Sequence, residues 1–315
     1  MGVLGAQERR IAVGVDCSPD CDGLLCWAYR QAELTDSTLV AVTSWLVARP
    51  DLDPVSADVE VAARTRDVLA ATVARALGAD RAGAVTLRVT PSSPADALLA
   101  QARKANLVVV GPRGPHALRY LALGSVTERV LSQATCPVAV IHPAVVHPAA
   151  AGRVRGGPVG GGSGRIVVGV DGSPCARRAL HWALGQAALT GATVEAVLAW
   201  EFEPLYGIYP YGPGEQTWTQ HAEQLLDQEL DTLPPGAVSV RGRPVRGRPA
   251  HVLIDTSTDA DLVVVGNRGV GTALQRMLGS VSQKVARHAT VPVVVVHDHD
   301  HPPVGRGVQH GGLTR

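Results

Sequence analysis

Apolar residues cluster in short runs separated by longer amphipathic stretches, and the whole alternation occurs twice along the chain. Each half opens on an apolar run that ends in a turn signal, Ile11-Ala-Val-Gly-Val-Asp16 and Ile166-Val-Val-Gly-Val-Asp171, which predicts a first strand. Ser18-Pro19 and Ser173-Pro174 then supply a helix N-cap followed by proline at the first helical position. The helices that follow carry Trp27 and Trp182 on an apolar face, so the indoles are expected to fill a core. Second strands are predicted over 39–45 and 194–200, helices over 59–77 and 219–233, and short third strands over 85–89 and 238–240. Helices over 94–104 and 249–258 lead into Leu107-Val-Val-Val110 and Leu262-Val-Val-Val265, uninterrupted apolar runs of the kind found in strands covered on both faces of a parallel sheet. A glycine-containing loop, a helix and a last strand, Pro137-Val-Ala-Val-Ile141 or Pro292-Val-Val-Val-Val296, complete each half. The predicted class is α/β: two tandem doubly wound domains, each a five-stranded parallel sheet flanked by helices in flavodoxin-like or Rossmann-like layers.

The two halves keep one offset. Gly111, Gly114 and Gly124-Ser125 recur 155 residues later as Gly266, Gly269 and Gly279-Ser280, and Asp16, Trp27, Trp45 and Pro137 recur as Asp171, Trp182, Trp200 and Pro292. A period this long is a whole fold, since solenoid repeats run to roughly 20–50 residues. The 315 residues accordingly suit two domains, at roughly 100–200 residues each. The expected boundaries are a first domain over 1–145, a linker over 146–164 rich in Gly, Pro and Ala, a second domain over 165–298 and a tail over 299–315. The His297-Asp-His-Asp-His301 cluster carries metal-ligating residue types, but the first half has no counterpart, so it reads as polar tail and no metal site is assigned to it.

Composition removes several classes of function. The net charge is +1 and no Lys/Arg run forms a stripe, so nucleic acid is not an expected partner. No stretch reaches the roughly 18 apolar residues of a membrane span, and residues 1–10 lack the apolar run of a secretory signal. A cytoplasmic protein without membrane contact is expected. Five cysteines, an odd number without zinc spacing, read as free thiols. The two lysines, Lys104 and Lys284, follow Arg103 and Gln283, which excludes the Gly-Lys-Ser/Thr of a P-loop.

The repeated glycines carry the candidate chemistry. In open α/β sheets ligands bind beyond the carboxyl ends of the strands where the winding reverses, so Asp16 and Asp171, ending the first strands, should share a cleft with the loops after the fourth. Glycine at 111, 114, 266 and 269 lets backbone N–H groups approach a ligand without an intervening Cβ, which suits phosphate oxygens. Ser125-Val-Thr-Glu128 and Ser280-Val-Ser-Gln283 fit a capping box at the start of the next helix, whose unpaired donors and partial positive charge would face the same phosphates. Arg113 and Arg268 add charge within the loops. A lone G-x-x-G usually marks only a turn, and Asp16 and Asp171 could equally be turn acids at the start of the first helix. What separates this pattern from a plain turn is its recurrence at fixed spacing after an apolar strand, so nucleotide binding is the favoured reading.

The pattern Gly-2x-Gly-9x-Gly-Ser after a Val-Val-Val strand, with Val-Gly-Val-Asp opening the domain, closely resembles the universal stress protein family over about residues 11–142 and 166–297. The ATP-binding branch of that family carries this glycine signature. The resemblance implies one ATP per domain, held by Asp16, Gly111, Gly114, Gly124 and Ser125 in the first half and by Asp171, Gly266, Gly269, Gly279 and Ser280 in the second. The main chain at Gly14 and Gly169 would border the nucleotide, Val42 and Val197 would lie near the adenine, and Pro112, Asn267, Val270, Gly271 and Val281 complete the candidate set. Magnesium is expected to neutralise phosphate charge that Arg113 or Arg268 alone cannot. Pro115 and His116 in the first loop replace Val270 and Gly271 of the second, and proline has no N–H to donate, so the second site is expected to be the tighter. Family members dimerise through the last strand, which implies an intramolecular pseudo-dimer of the two halves and leaves a homodimer open.

Three functions compete. The first is a stress-response regulator that senses ATP by occupancy, with slow hydrolysis at most, because no residue in the loops is placed as a general base. The second is a nucleotide-dependent transferase or adenylating enzyme of related fold, for which no further catalytic signature is present. The third is an interaction module with vestigial loops.

Overall fold

The computed structural model describes residues 9–45, 54–112, 123–142, 164–201, 215–233, 236, 238–269 and 278–297. The first half runs β1 (Arg10–Gly14), α1 (Cys21–Thr35), β2 (Thr38–Ser44), α2 (Pro54–Leu77), α3 (Ala79–Ala82), β3 (Thr86–Thr90), α4 (Pro94–Ala102), β4 (Leu107–Val110), α5 (Ser125–Gln133) and β5 (Val138–Val140). The second runs β6 (Arg165–Gly169), α6 (Pro174–Thr190), β7 (Thr193–Trp200), α7 (Glu215–Asp231), β8 (Val240–Arg246), α8 (Pro249–Thr256), β9 (Leu262–Gly266), α9 (Ser280–His288) and β10 (Val293–Val296).

The fold is α/β. Parallel strands lie in the order β3-β2-β1-β4-β5 in one half and β8-β7-β6-β9-β10 in the other, so the winding reverses between β1 and β4 and again between β6 and β9. The two sets form one ten-stranded sheet, because β5 pairs antiparallel with β10. At the centre of that pairing Ala139 faces Val294, its own counterpart 155 residues on, as happens only on a two-fold axis. Above the axis, on the layer of α1 and α6, Gln31 and Gln186 exchange two amide hydrogen bonds of 2.7 and 3.0 Å. Below it, on the layer of α5 and α9, Gln283 Nε2 donates to Glu128 Oε1 at 3.4 Å.

Each face of the sheet buries one apolar layer, and both layers run through both halves. Leu25, Trp27, Leu69, Leu180, Trp182 and Leu226 fill the layer beneath α1, α2, α6 and α7, where the indoles are 2% and 6% exposed. Leu98, Leu131, Leu253 and Val285 fill the layer beneath α4, α5, α8 and α9. Burial on both faces explains the uninterrupted valine runs of β4, β9 and β10.

Three local expectations need correction. The strand expected over 238–240 is β8, which runs through Arg241-Gly-Arg-Pro-Val-Arg246. Glycine and proline are uncommon inside strands, but β8 is an edge strand, where Pro244 forfeits no central ladder bond. Gly242 serves packing: a Cβ at that position would come within 2.8 Å of Leu226 on α7. The first helix of the first half begins at Cys21 after Asp20, without a side-chain cap, because Ser18 and Pro19 form a turn and the Ser18 hydroxyl lies 3.9 Å from the Cys21 thiol. In the second half Ala176 replaces that cysteine, and Ser173 caps α6 as expected by accepting the Ala176 N–H at 3.1 Å. The third correction concerns the helix start that follows each glycine loop.

Candidate functional site

At the carboxyl end of β1, the Val15 N–H still bonds to Val42 O at 2.9 Å, and at the end of β6 the Val170 N–H bonds to Val197 O at 2.9 Å. Asp16 and Asp171 come next, just past the sheet edge. Each carboxylate folds onto its own turn: Asp16 Oδ1 accepts the Ser18 N–H and Asp171 Oδ1 the Ser173 N–H, both at 3.0 Å. The following residue is left-handed, Cys17 at φ 60° and Gly172 at φ 79°. A cysteine in that conformation carries a steric cost that glycine avoids, so the first turn is the more strained.

An arginine closes each turn from outside. Arg177 on α6 pairs with Glu229 on α7, Nε to Oε2 at 2.7 Å, and donates to Gly172 O at 3.2 Å. In the first half the polarity is reversed: Arg75 on α2 pairs with Asp22 on α1 at 2.8 Å and donates to Ser18 O at 3.3 Å. The acid and the base have exchanged helices, yet each arginine still binds a turn carbonyl.

The loop after β9 meets this turn. A Cβ at Gly269 would collide with Asp171 Oδ2, so only glycine lets the carboxylate and the loop backbone lie against each other. Gly266 answers a different demand: a Cβ there would come 2.8 Å from Cys175 Cβ in the first turn of α6. Gly14 and Gly169 likewise accommodate neighbours, since a Cβ at either would lie 2.9 Å from Leu98 or Leu253. Val42 and Val197 are 2% and 1% exposed in the layer beneath α4 and α8. All four positions are closely packed from the side of α4 and α8.

The helix starts differ from the expected capping box. Gly124 and Gly279 are the N-caps, and Ser125 and Ser280 are the first helical residues, both exposed. The cap glycines donate their N–H groups to Pro112 O and Asn267 O, each at 2.8 Å. Glu128 and Gln283, expected to fold back onto the caps, bond to each other across the two-fold instead. The anchoring hydroxyls belong to Thr127 and Ser282, which donate to Gly111 O at 2.7 Å and to Gly266 O at 2.6 Å. A hydroxyl sixteen residues after the first glycine of both loops was the available sequence signal. These ties clamp each helix start against the end of β4 or β9. The first N–H groups of α5 and α9, at Ser125 to Thr127 and Ser280 to Ser282, have no intrahelical acceptor; Val281 lies among them.

Asn267 is 5% exposed, donates its N–H to Val296 O at 2.7 Å and has no hydrogen-bond partner for Oδ1. Pro112 occupies the equivalent position and is also buried. Arg268 is half-buried beside it. Arg113, Gly114, Pro115, His116, Val270 and Gly271 lie outside the described residues, as does the cluster after His297. His297 itself belongs to the fold: it is 3% exposed, and its Nε2 lies 2.7 Å from Leu131 O of the other half.

The profile of the universal stress protein family matches residues 8–142 and 162–297, one copy on each half of this architecture. The chain belongs to the universal stress protein family. A universal stress protein of Mycolicibacterium smegmatis is 33% identical over 308 residues, covering 93% of this chain and 99% of the relative. One from Mycobacterium tuberculosis is 33% identical over 301 residues, covering 92% of this chain and 97% of the relative. The crystal structure of a universal stress protein from Archaeoglobus fulgidus shares the fold, with a TM-score of 0.62 at 19% identity over 93% of this chain and 100% of that one. In this universal stress protein none of the five cysteines forms a disulfide. Cys21 donates its thiol to Asp16 Oδ1 at 2.8 Å, and the equivalent position in the second half is Ala176. Burial, followed by the Asp16 contact, pushes this thiol up to about 12, so it stays a protonated donor at neutral pH. No helix among the described residues is long and apolar enough to cross a membrane.

Proposed function

We propose that each half binds one adenine nucleotide, ATP accompanied by magnesium, and that the protein works as a stress-response regulator reading nucleotide by occupancy. The observation that carries this reading is the contact of the Asp171 carboxylate with Gly269, where a Cβ would collide, beside the clamped start of α9. An acid that can accept ribose hydroxyls, a backbone without Cβ atoms and a helix N-terminus suited to phosphate then border one cleft. The N–H groups of Ser280 and Val281, which have no intrahelical acceptor, would orient phosphate, and Arg268 would add charge. Among the described residues none is held as a general base for an attacking water: both aspartates are engaged in their turns. Hydrolysis is accordingly slow at most. We further propose that the antiparallel pairing of β5 with β10 makes the two halves an intramolecular counterpart of a dimer.

The second site should be the tighter one, because in the first half Cys21 already donates to Asp16 and Ala176 offers no such group in the second. Native mass spectrometry of the purified protein should reveal co-purified nucleotide, and calorimetry should resolve two unequal sites. Gly269→Val is expected to weaken the second site at least tenfold, because the new side chain displaces Asp171. Absence of nucleotide binding by the unmodified protein would overturn the assignment.

A further inference from the structure

We infer that Asn267 is a specificity-determining residue of the second half, whose side-chain carbonyl accepts a hydrogen bond from the nucleoside part of the bound nucleotide. This rests on the nucleotide-binding reading above. Asn267 follows the alternation of Val263 and Val265 into the layer of α8 and α9. Its main chain is committed on both sides, N–H to Val296 O and carbonyl to the N–H of Gly279, the N-cap of α9. The residue is thus wedged between the end of β9 and the helix start. The residue is 5% exposed, and its Oδ1 has no partner.

A buried carbonyl without a donor is disfavoured, and folded proteins leave very few of them. A position that retains one beside a ligand cleft is satisfied by the ligand or by a trapped water. Deprotonated phosphate oxygens are acceptors and cannot serve. A ribose hydroxyl or an exocyclic amino group can. Pro112 at the equivalent position has no side-chain acceptor at all, so the first half cannot make this contact. The two halves then differ in how they read the nucleoside.

The test is calorimetric titration of the full-length protein and of its Asn267→Leu and Asn267→Ala variants with ATP, adenosine and tripolyphosphate, alongside melting curves without ligand. Both variants should lose about tenfold in affinity for ATP and adenosine at one of the two sites, the loss expected for one hydrogen bond. Tripolyphosphate binding should be unchanged, and the ligand-free melting temperature of Asn267→Leu should hold or rise because an unsatisfied acceptor has been removed. Unchanged ATP affinity in both variants would overturn the inference and leave a trapped water as the partner. A loss seen with tripolyphosphate would overturn the nucleoside assignment. Failure of the unmodified protein to bind any nucleotide is a different result and refutes the functional reading itself.

Discussion

A thiol in the first candidate site has no counterpart at the equivalent position of the second. Cys21 donates to the Asp16 carboxylate at 2.8 Å, and the equivalent Ala176 has nothing to donate. A ligand hydroxyl arriving at Asp16 must compete with that bond, so Cys21→Ala should strengthen nucleotide binding in the first half by about two- to tenfold and leave the second unchanged. The same substitution has a signature in alkali. The thiol's ordinary value of 9.0 is raised to about 12 in the folded protein, first by burial and then by Asp16. Between those values the native chain keeps a proton that the unfolded chain releases. The associated stability is therefore complete below about pH 9 and declines as pH rises toward 12. Urea midpoints at about pH 8 and about pH 10.5 should converge in Cys21→Ala relative to the parent. Cys17 and Cys26, whose thiols burial also raises, remain in both proteins and cancel in that difference. An identical alkaline decline in both would show that Cys21 is not the group responsible.

Pairs of helices secure the turns beneath the site, and the two halves do so with opposite charge arrangements. Asp22 on α1 meets Arg75 on α2, whereas Arg177 on α6 meets Glu229 on α7. Arg75 is half-exposed, so the pair is worth little as a stabiliser, in the range of about 0.5–1 kcal/mol once solvent screening is counted. Its geometric role is larger, since each arginine also holds a carbonyl of the turn that follows the aspartate. Asp22→Arg alone places like charges together and should lower stability by about 1 kcal/mol. Adding Arg75→Glu recreates the polarity of the second half and should recover most of that loss in a double-mutant cycle of chemical denaturation. Additive losses in the cycle would mean that the two helices do not communicate through this pair.

Over the whole molecule, the seam between the halves is a sheet pairing covered on both faces. Val138, Ala139 and Val140 of β5 are fully buried against β10, and both apolar layers continue across it. The Gln31–Gln186 amide pair fixes how the halves meet, because each amide is buried and any slip would leave both without partners. Expressed separately, residues 1–150 and 160–315 would each expose an unpaired apolar edge. Each piece should self-associate, as a dimer or larger, and the two should combine when mixed; light scattering after size exclusion measures both. Soluble monomers of either piece would show that the seam contributes little.

The amino-acid sequence by itself determined the features that depend on local pattern and on the 155-residue offset: the strands named by their valine runs, the class of fold, the acid after β1 and β6, and glycine at 269. These were legible because burial on both sheet faces leaves a continuous apolar signature, and because the repeat shows each feature twice. What only the tertiary structure decided are the partnerships between distant or competing groups. Ser125-Val-Thr-Glu128 satisfies a capping pattern, but Gly124 takes the cap and Thr127 reaches back to Gly111, because the helix start is clamped to the end of β4. Val42 and Val197 sit on the strands expected near the base, and their burial in the layer beneath α4 and α8 comes from the packing of those helices. The strand expected over 238–240 runs on through glycine and proline to Arg246 because its place at the edge of the sheet tolerates them. The thiol on Asp16, the unpartnered carbonyl of Asn267 and the amide pair across the two-fold have no local signature at all. Local patterns dictate which element forms, whereas a hydrogen bond between far-separated side chains exists only once packing has set their distance.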